Sequence, residues 1–537
     1  VFWALSCTHA WKLRMDDSLW AVFYLRQGLG SSAGRGSAPG RRRRALAVLT
    51  TLVVCLSSLL ALRLGRASSR GSGFVSCQRL LAVPPRGPSL LPAWEFKRDP
   101  CRCTNQGSLP TAWAPLLRGG APQRLLRYRA DRLASGAASR TVRRAGEALS
   151  PPVEKSIFLI GGSGRVGASA LRWVLKMGAD EGFSLRVVVA GRSEENFNGS
   201  MERLRSVFDV AAETLSERVS FRRVDYTDAQ ALEAAISGCD LVIHTAGPFQ
   251  QKTDNEVLRA SLRQRVPYID VCDATNLISL AKHELGDEAK RLDVPVIVST
   301  GIWPGISALM AKRVITSLGG GGQCSDLEMS FYTAGTGGAG ITILSATFLL
   351  LAEPSLWIRD GKEEYVDAWT IPNRVDFGSD VGERNVFNLD EPEVYMIREH
   401  CRVPNVRSSF GTSPEIWNGL FGLLRFIPAS ILANRDLMQK FAAFSLPIVR
   451  LVDTLVGSTN AMRVDGRRAD GKTASFLVVH PDLESSVGIG TAAFAMEVLL
   501  GNVSAGVHYP VELDEKIADA ILERARVEST AFAFSEK

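Results

Sequence analysis

Between Ser156 and Arg192 an apolar run, a glycine turn, an amphipathic segment and a second apolar run follow one another without a gap. The first run is Ser156-Ile-Phe-Leu-Ile160 and the second Leu185-Arg-Val-Val-Val-Ala-Gly191, closed by Arg192. The turn between them reads Gly161-Gly162-Ser163-Gly164-Arg165-Val166-Gly167. Strand, helix and strand in that order make a βαβ unit, and Gly162-x-Gly164-x-x-Gly167 sits where a dinucleotide fingerprint belongs. Gly162 is expected to make the tight turn, Gly164 to let backbone approach a pyrophosphate, and Gly167 to let the helix pack closely. The pyrophosphate is expected on the free N–H groups that open the helix near Arg165, with Gly161, Ser163 and Val166 completing the cradle.

The end of the second strand discriminates between cofactors. An acidic residue there holds the ribose hydroxyls of NAD, whereas this strand ends in Gly191-Arg192-Ser193. A guanidinium forks onto a 2′-phosphate and a serine hydroxyl adds a hydrogen bond, so the reading is NADP(H). The competing reading of Arg192 is a solvated loop charge.

Beyond Arg192 the alternation continues. A charged amphipathic helix is expected over 198–215, a third strand over 219–224 and a helix over 229–237. Asp225 at the third strand's end either faces the adenine or caps a turn. The fourth strand runs through Val242, Ile243 and His244 into Thr245-Ala246-Gly247-Pro248, expected to pass under the ribose and nicotinamide. A fifth unit holds Tyr268, Asp270 and Asp273, and a sixth ends at Gly301-Ile-Trp303-Pro-Gly305. Six alternations imply a parallel sheet with helices on both faces, that is, an α/β Rossmann-type doubly wound domain over 151–305.

These residues resemble a known family. Gly-Gly-x-Gly-x-Val-Gly, the strand ending Ala-Gly-Arg, His244-Thr-Ala-Gly-Pro-Phe249, Tyr268-Ile-Asp-Val271 and Gly301-x-x-Pro-Gly305 occur in this order in the saccharopine dehydrogenase-like oxidoreductases. Further on, 334–340, Phe410-Gly-Thr-Ser-Pro414 with Trp417-Asn418, and Gly488-x-Gly490 leading to Gly506-Val507 look like the second domain of its cyanobacterial and plastid branch. The resemblance spans about 154–515 and implies an NADP-dependent oxidoreductase acting on a small molecule. Saccharopine-forming members carry Asp and Asp-His where this chain has Trp303 and Ser307-Ala308. A zwitterionic substrate would lose polar partners there, so a less polar substrate than saccharopine is expected.

Residues 306–515 are expected to form an α+β substrate and dimerisation domain, its last helix returning to the nucleotide domain, with a tail helix over 516–537. A half-buried strand over 326–332 enters a second glycine turn at 335–340. No ribose-binding strand follows it. Gly337 and Gly338 are instead candidates, with Trp303, for holding substrate at a helix N-terminus; a close-packed turn is the plain alternative. Apolar helical segments follow between Ile416 and Gly457, interrupted by proline and charge.

At 537 residues the chain has room for two or three domains. Its net charge of +7 hides an asymmetry: residues 1–150 hold 24 basic against 6 acidic groups, +18, which leaves −11 for the remainder. The basic character therefore belongs to the N-terminal extension, and composition offers no case for nucleic-acid binding. Nine cysteines without CxxC or Cys/His ligand spacing support neither a zinc site nor a disulfide framework. Within the extension, Arg41–Arg44 precede Ala45–Leu62, eighteen residues without a charge. That is the order of a secretory signal or an anchor over 41–70, and 45–62 left uncleaved would tether the chain to a membrane. Residues 71–150 are Arg-, Ser-, Ala- and Pro-rich and read as transit-like. Together they suggest a bipartite leader to a complex plastid through the secretory route, with a mitochondrial or ER-anchored location as alternatives.

Hydride transfer needs the nicotinamide set against a prochiral carbon and, as a rule, a proton donor. Candidates at the sheet's carboxyl edge are Asp273, His244, Tyr268 and Asp270, with Asp273 favoured over Tyr268, which is expected to pack. No Tyr-x-x-x-Lys pair, paired-carboxylate, Ser-His-Asp or P-loop arrangement stands out. Two readings remain at this level: an NADP-dependent oxidoreductase of a plastid metabolite, or a non-catalytic NADP-binding regulatory or assembly factor.

Overall fold

The computed structural model describes residues 152–250, 252–335 and 341–537. The leader, Gly337 and Gly338 lie outside them.

Strand β1 (Val153–Ile160) begins exposed and ends fully buried, and the glycine turn carries it into helix α1 (Arg165–Asp180). There follow β2 (Phe183–Gly191), α2 (Glu194–Ser206), α3 (Ala212–Arg218), β3 (Val219–Arg223), α4 (Ala229–Ile236) and β4 (Leu241–His244). Then come α5 (Glu256–Arg263), β5 (Tyr268–Asp270), α6 (Thr275–Arg291), β6 (Pro295–Ile297) and α7 (Ile306–Ser317). Every residue of β4 and β5 is buried, as expected of strands covered on both faces. The expected single helix over 198–215 is two helices. Ser193 starts the first one early by accepting from Asn196 N–H, and Asp209 at φ 52° breaks the chain between them.

The second half contains β7 (Cys324–Ala334), α8 (Ile341–Leu350), β8 (Ser355–Arg359), β9 (Lys362–Val366), β10 (Pro372–Asp376), β11 (Glu383–Asn388), α9 (Pro392–His400) and β12 (Asn405–Ser413). After α10 (Ile416–Leu424), α11 (Ala429–Leu432) and α12 (Arg435–Val456) come β13 (Thr459–Arg468), β14 (Thr473–His480), α13 (Leu483–Leu499), β15 (Gly506–His508), α14 (Glu515–Ala525) and β16 (Ala531–Glu536). Helix α12 runs through Pro447 where two segments were expected. Among the described residues no helix is long and apolar enough to cross a membrane.

Two sheets result. The first has seven parallel strands in the order β15-β6-β5-β4-β1-β2-β3, reversing at β1 and β4, where doubly wound sheets take their ligands. The second, of nine strands, is mixed and ordered β10-β11-β12-β7-β13-β14-β16, with β8 and β9 beside β12. Two departures concern the chain's end. The seventh strand of the nucleotide sheet comes from 506–508, so that sheet is not confined to 151–305. The tail is a helix only to Ala525; Ala531-Phe-Ala-Phe-Ser-Glu536 alternates and pairs antiparallel with β14.

Helix α13 is buried all round and wedges between the two halves. Its Gly488 lies so close to α1 that a Cβ there would stand 2.2 Å from Ser169 Oγ. A Cβ on Gly490 would stand 2.6 Å from the carbonyl oxygen of Gly301. Trp173 Nε1 of α1 donates to Ser485 Oγ at 3.2 Å. A second tie joins α9 to α7: the Ser307 hydroxyl donates to Glu393 Oε1, and Glu393 is wholly buried.

Replacing Gly488 with Val should cost about 3 kcal/mol or more, read as a lower midpoint in urea unfolding, because backbone on α1 cannot give way. Burial pushes the Glu393 carboxyl up to about 7, above its ordinary 4.5. Its contribution to stability is therefore full below pH 4.5 and is lost as pH rises through 7. Unfolding of Glu393→Gln across pH 4.5–8 should show a flatter decline than the parent; an unchanged slope would refute the assignment.

Candidate active site

The glycine turn is shaped by three close approaches. Gly161, at φ +83°, is the residue that needs the left-handed conformation, so the tight turn falls on it and not on Gly162. A Cβ on Gly161 would stand 2.6 Å from Ala246 N, and one on Gly167 2.3 Å from the Gly161 carbonyl. Gly162 packs over Leu159 and Val189, which leaves no room for a side chain. Gly164 is different: it is exposed, and its Cβ position meets only the Gly161 carbonyl, at 3.2 Å. The open side of the turn is thus at Gly164, where backbone can meet a ligand. Helix α1 starts there with no side-chain cap, so its first N–H groups, at Arg165 and Val166, face outward unclaimed by a side chain. Thr245 fastens the neighbouring strand to the turn through its N–H and its hydroxyl, each donating to Ile160 O at 2.9 Å.

At the end of β2, Gly191 faces Ser163, whose buried hydroxyl has no partner in the protein. Arg192 is exposed and makes no hydrogen bond or ion pair among the described residues. Ser193 is a helix cap, accepting from Asn196 N–H at 3.2 Å, which leaves its own O–H free to donate. Asp225 is a turn cap: Oδ1 accepts from Thr227 N–H at 3.1 Å and from the Thr227 hydroxyl at 2.9 Å. Those bonds, with the nearby charge of Arg192, hold its carboxyl below the usual range. Arg165 is bound to Glu484 of α13 at 3.1 Å, and Arg203 of α2 grips both oxygens of that carboxylate. Glu484 is 3% exposed, so one buried anion holds two cations beside the glycine turn.

The carboxyl ends of β4 and β5 bring the catalytic candidates together. His244 Nδ1 lies 2.9 Å from the Tyr268 hydroxyl, and its Nε2 is buried without a partner. Burial, helped by the charge of Lys252, pushes His244 down to about 3, so near pH 7 the ring is a neutral imidazole. Tyr268 is buried, its phenol raised well above its ordinary value by burial, and it serves to orient His244. Asp270, also a candidate proton donor from the sequence, is a buried clamp. Its Oδ1 accepts from Ser299 N–H at 2.8 Å and Cys272 N–H at 3.0 Å, and burial still lifts it to about 6. Asp273 stands just beyond, partly open to solvent; burial raises its carboxyl, and the Gln250 amide partly offsets this. Gly247 and Pro248 form the loop after β4, and Arg435 of α12 donates to Pro248 O at 3.1 Å.

Trp303 is half-buried and stacks on Phe331 of β7, centroids 5.7 Å apart, which makes it a packing bridge between the two halves. Several groups near the cleft escaped the sequence reading. Gln250 is buried beside Asp273, and Lys252 follows it two residues on. Glu391 and Glu393 approach Asp273 from α9; burial raises Glu391 well above its ordinary value, and the charges of Glu393, Asp390 and Asp273 add to this. Lys252 could have been found as the lone basic residue between His244 and Arg259. Nothing local marks Glu391 or Glu484, more than a hundred residues from the groups they meet.

Residues 157–295 match the family described as the saccharopine dehydrogenase NADP binding domain. No curated protein matches the chain. Among solved structures, the apo L-Glu-forming saccharopine dehydrogenase of Saccharomyces cerevisiae is similar with a TM-score of 0.50 at 16% identity. That match covers 71% of this chain and 99% of the yeast one, a likeness of fold. An amine dehydrogenase from Mycobacterium smegmatis matches at TM-score 0.35 and 9% identity, over 68% of this chain and 96% of its own. With its fingerprint and its parallel sheet, the 157–295 segment is a saccharopine dehydrogenase-like NADP-binding domain, and the chain as a whole shares the fold of the yeast enzyme.

Proposed function

We propose that the protein transfers hydride between NADP(H) and a C=O, C=N or C=C bond of a small plastid metabolite less polar than saccharopine. One arrangement carries the reading: the open side of the glycine turn, the unpartnered Ser163 hydroxyl and the unpaired Arg192 lie at one end of the cleft, and Asp273 lies at the other. When bound, NADP(H) supplies or accepts the hydride. Arg192, Ser193 and Ser163 would read its 2′-phosphate and ribose, the α1 N-terminus its pyrophosphate, and the Thr245–Pro248 backbone its nicotinamide end. Asp273, kept protonated more readily by its burial, would supply the proton, with neutral His244 beside it.

The polarity of the substrate follows from three positions. Trp303 is stacked on Phe331, the Ser307 hydroxyl is spent on Glu393, and Ala308 is fully buried. Trp303 keeps only its indole N–H, and neither Ser307 nor Ala308 offers a free polar group to a zwitterion. Under the same reading the leader directs the chain to a plastid through the secretory route, and the second half pairs two copies as a homodimer.

Titration of the full chain should show NADP⁺ bound in preference to NAD⁺, and NADPH consumed with some member of a panel of ketones, imines and enones on apolar frames, with and without a carboxylate or phosphate. Binding without turnover across the panel would refute hydride transfer. In Arg192→Asp the preference for NADP⁺ should fall by about tenfold or more, the loss of one charge-assisted fork. In Asp273→Asn turnover should drop with NADP⁺ affinity unchanged; equal losses in both would remove Asp273 from the proton-transfer role.

A further inference from the structure

Lys252 lies in the loop after β4, on the rim of a small cavity that His244, Phe249 and Tyr268 also line. Its ammonium sits 4.4 Å from the centroid of the Tyr226 ring and 5.6 Å from that of Phe249. The side chain is half-buried, and Nζ makes no hydrogen bond or ion pair among the described residues. Asp254 lines the same cavity but is already committed to Arg259 at 2.8 Å and to Asn255 N–H at 2.7 Å. Glu256 lines it too, and no ion pair joins it to Lys252.

Two aromatic faces offset only part of what a lysine loses on leaving water. Elsewhere near the cleft the chain pairs its partly buried cations, as Arg165 and Arg203 on Glu484 show. An aromatic cage without a carboxylate is therefore a place where the fold holds a positive charge ready and leaves its counter-charge to something else. The neighbour confirms the direction. His244 is 94% buried, since its exposure is 6%, its Nδ1 is taken by Tyr268, and its Nε2 has no partner. The charge of Lys252 is felt both at His244 and at Cys272, one residue from Asp273.

We infer that Lys252, caged by Tyr226 and Phe249 beside His244, is a binding site for an anionic oxygen group, a carboxylate or a phosphate. This rests on the oxidoreductase reading of the same cleft and narrows it: the substrate carries one such group on an otherwise apolar frame. Of the two carboxylates that line the cavity, Asp254 is committed to Arg259 and Glu256 is exposed to water, so the cage itself contributes a cation.

The test uses the full chain saturated with NADP⁺, with thermal unfolding followed against sodium acetate and, separately, inorganic phosphate at constant ionic strength. A saturable rise with acetate assigns a carboxylate, and one with phosphate a phosphate. Lys252→Met should weaken the responding anion by about tenfold or more, the loss of one charge-assisted hydrogen bond. Lys252→Arg should keep most of the response, which guards against a folding defect in the first variant. No saturable response to either anion in the parent, or the same response in Lys252→Met, overturns the site. Because NADP⁺ binding is measured first, its absence would instead count against the cofactor reading.

Discussion

The contact between α13 and α1 governs the rest of the architecture. Helix α1 must stand with its N-terminus at the glycine turn, and what presses on its outer face is a helix more than three hundred residues further along. The approach is possible only because Gly488 has no side chain, since a Cβ would lie 2.2 Å from Ser169 Oγ. Close approach then brings the Trp173–Ser485 hydrogen bond and the Glu484 ion pairs into register. Two turns of one helix thus set the position of the nucleotide-binding helix, of the Gly301–Gly305 corner through Gly490, and of β15 in the first sheet. The nucleotide-binding half is consequently not a separable module; its outer layer and seventh strand belong to the far end of the chain.

Electrostatics divide the cleft. On the side of β2, Arg165 and Arg203 are held by Glu484, and Arg192 stands exposed near Asp225. On the side of β5, Asp273, Glu391 and Glu393 are drawn together away from water, and burial favours their protonated forms. Glu484 is the exception among the buried carboxyls because it meets two guanidiniums. Removing either cation would leave its charge less compensated in a dry place, at a cost of several kcal/mol.

Much of this was legible locally, and the limits are instructive. The fingerprint, the six alternations and the strand ends next to Arg192, at His244 and just before Asp273 could be read because each depends on a few adjacent residues. Roles within those stretches were harder. The left-handed turn falls on Gly161 because Ala246 crowds it from β4, a neighbour that no spacing within the turn shows. Ser193 is a cap and Asp225 a turn, since both short side chains found backbone N–H groups two or three residues on. The tail was misread past Ala525 because a short alternating segment becomes a strand only where an edge such as β14 is offered to it.

The sequence alone determined the parallel nucleotide-binding sheet, the fingerprint and the preference for a phosphate-bearing cofactor. The sheet and the fingerprint follow from hydrophobic period and from glycine's freedom, both short-range. Only the tertiary structure decided that α13 closes the sheet's outer face, that Glu484 holds Arg165 and Arg203, and that Glu391 and Glu393 reach Asp273. It also left Lys252 caged without a carboxylate. Such pairings join residues distant in the chain, and their energies come from burial, which exists only once the two halves have packed.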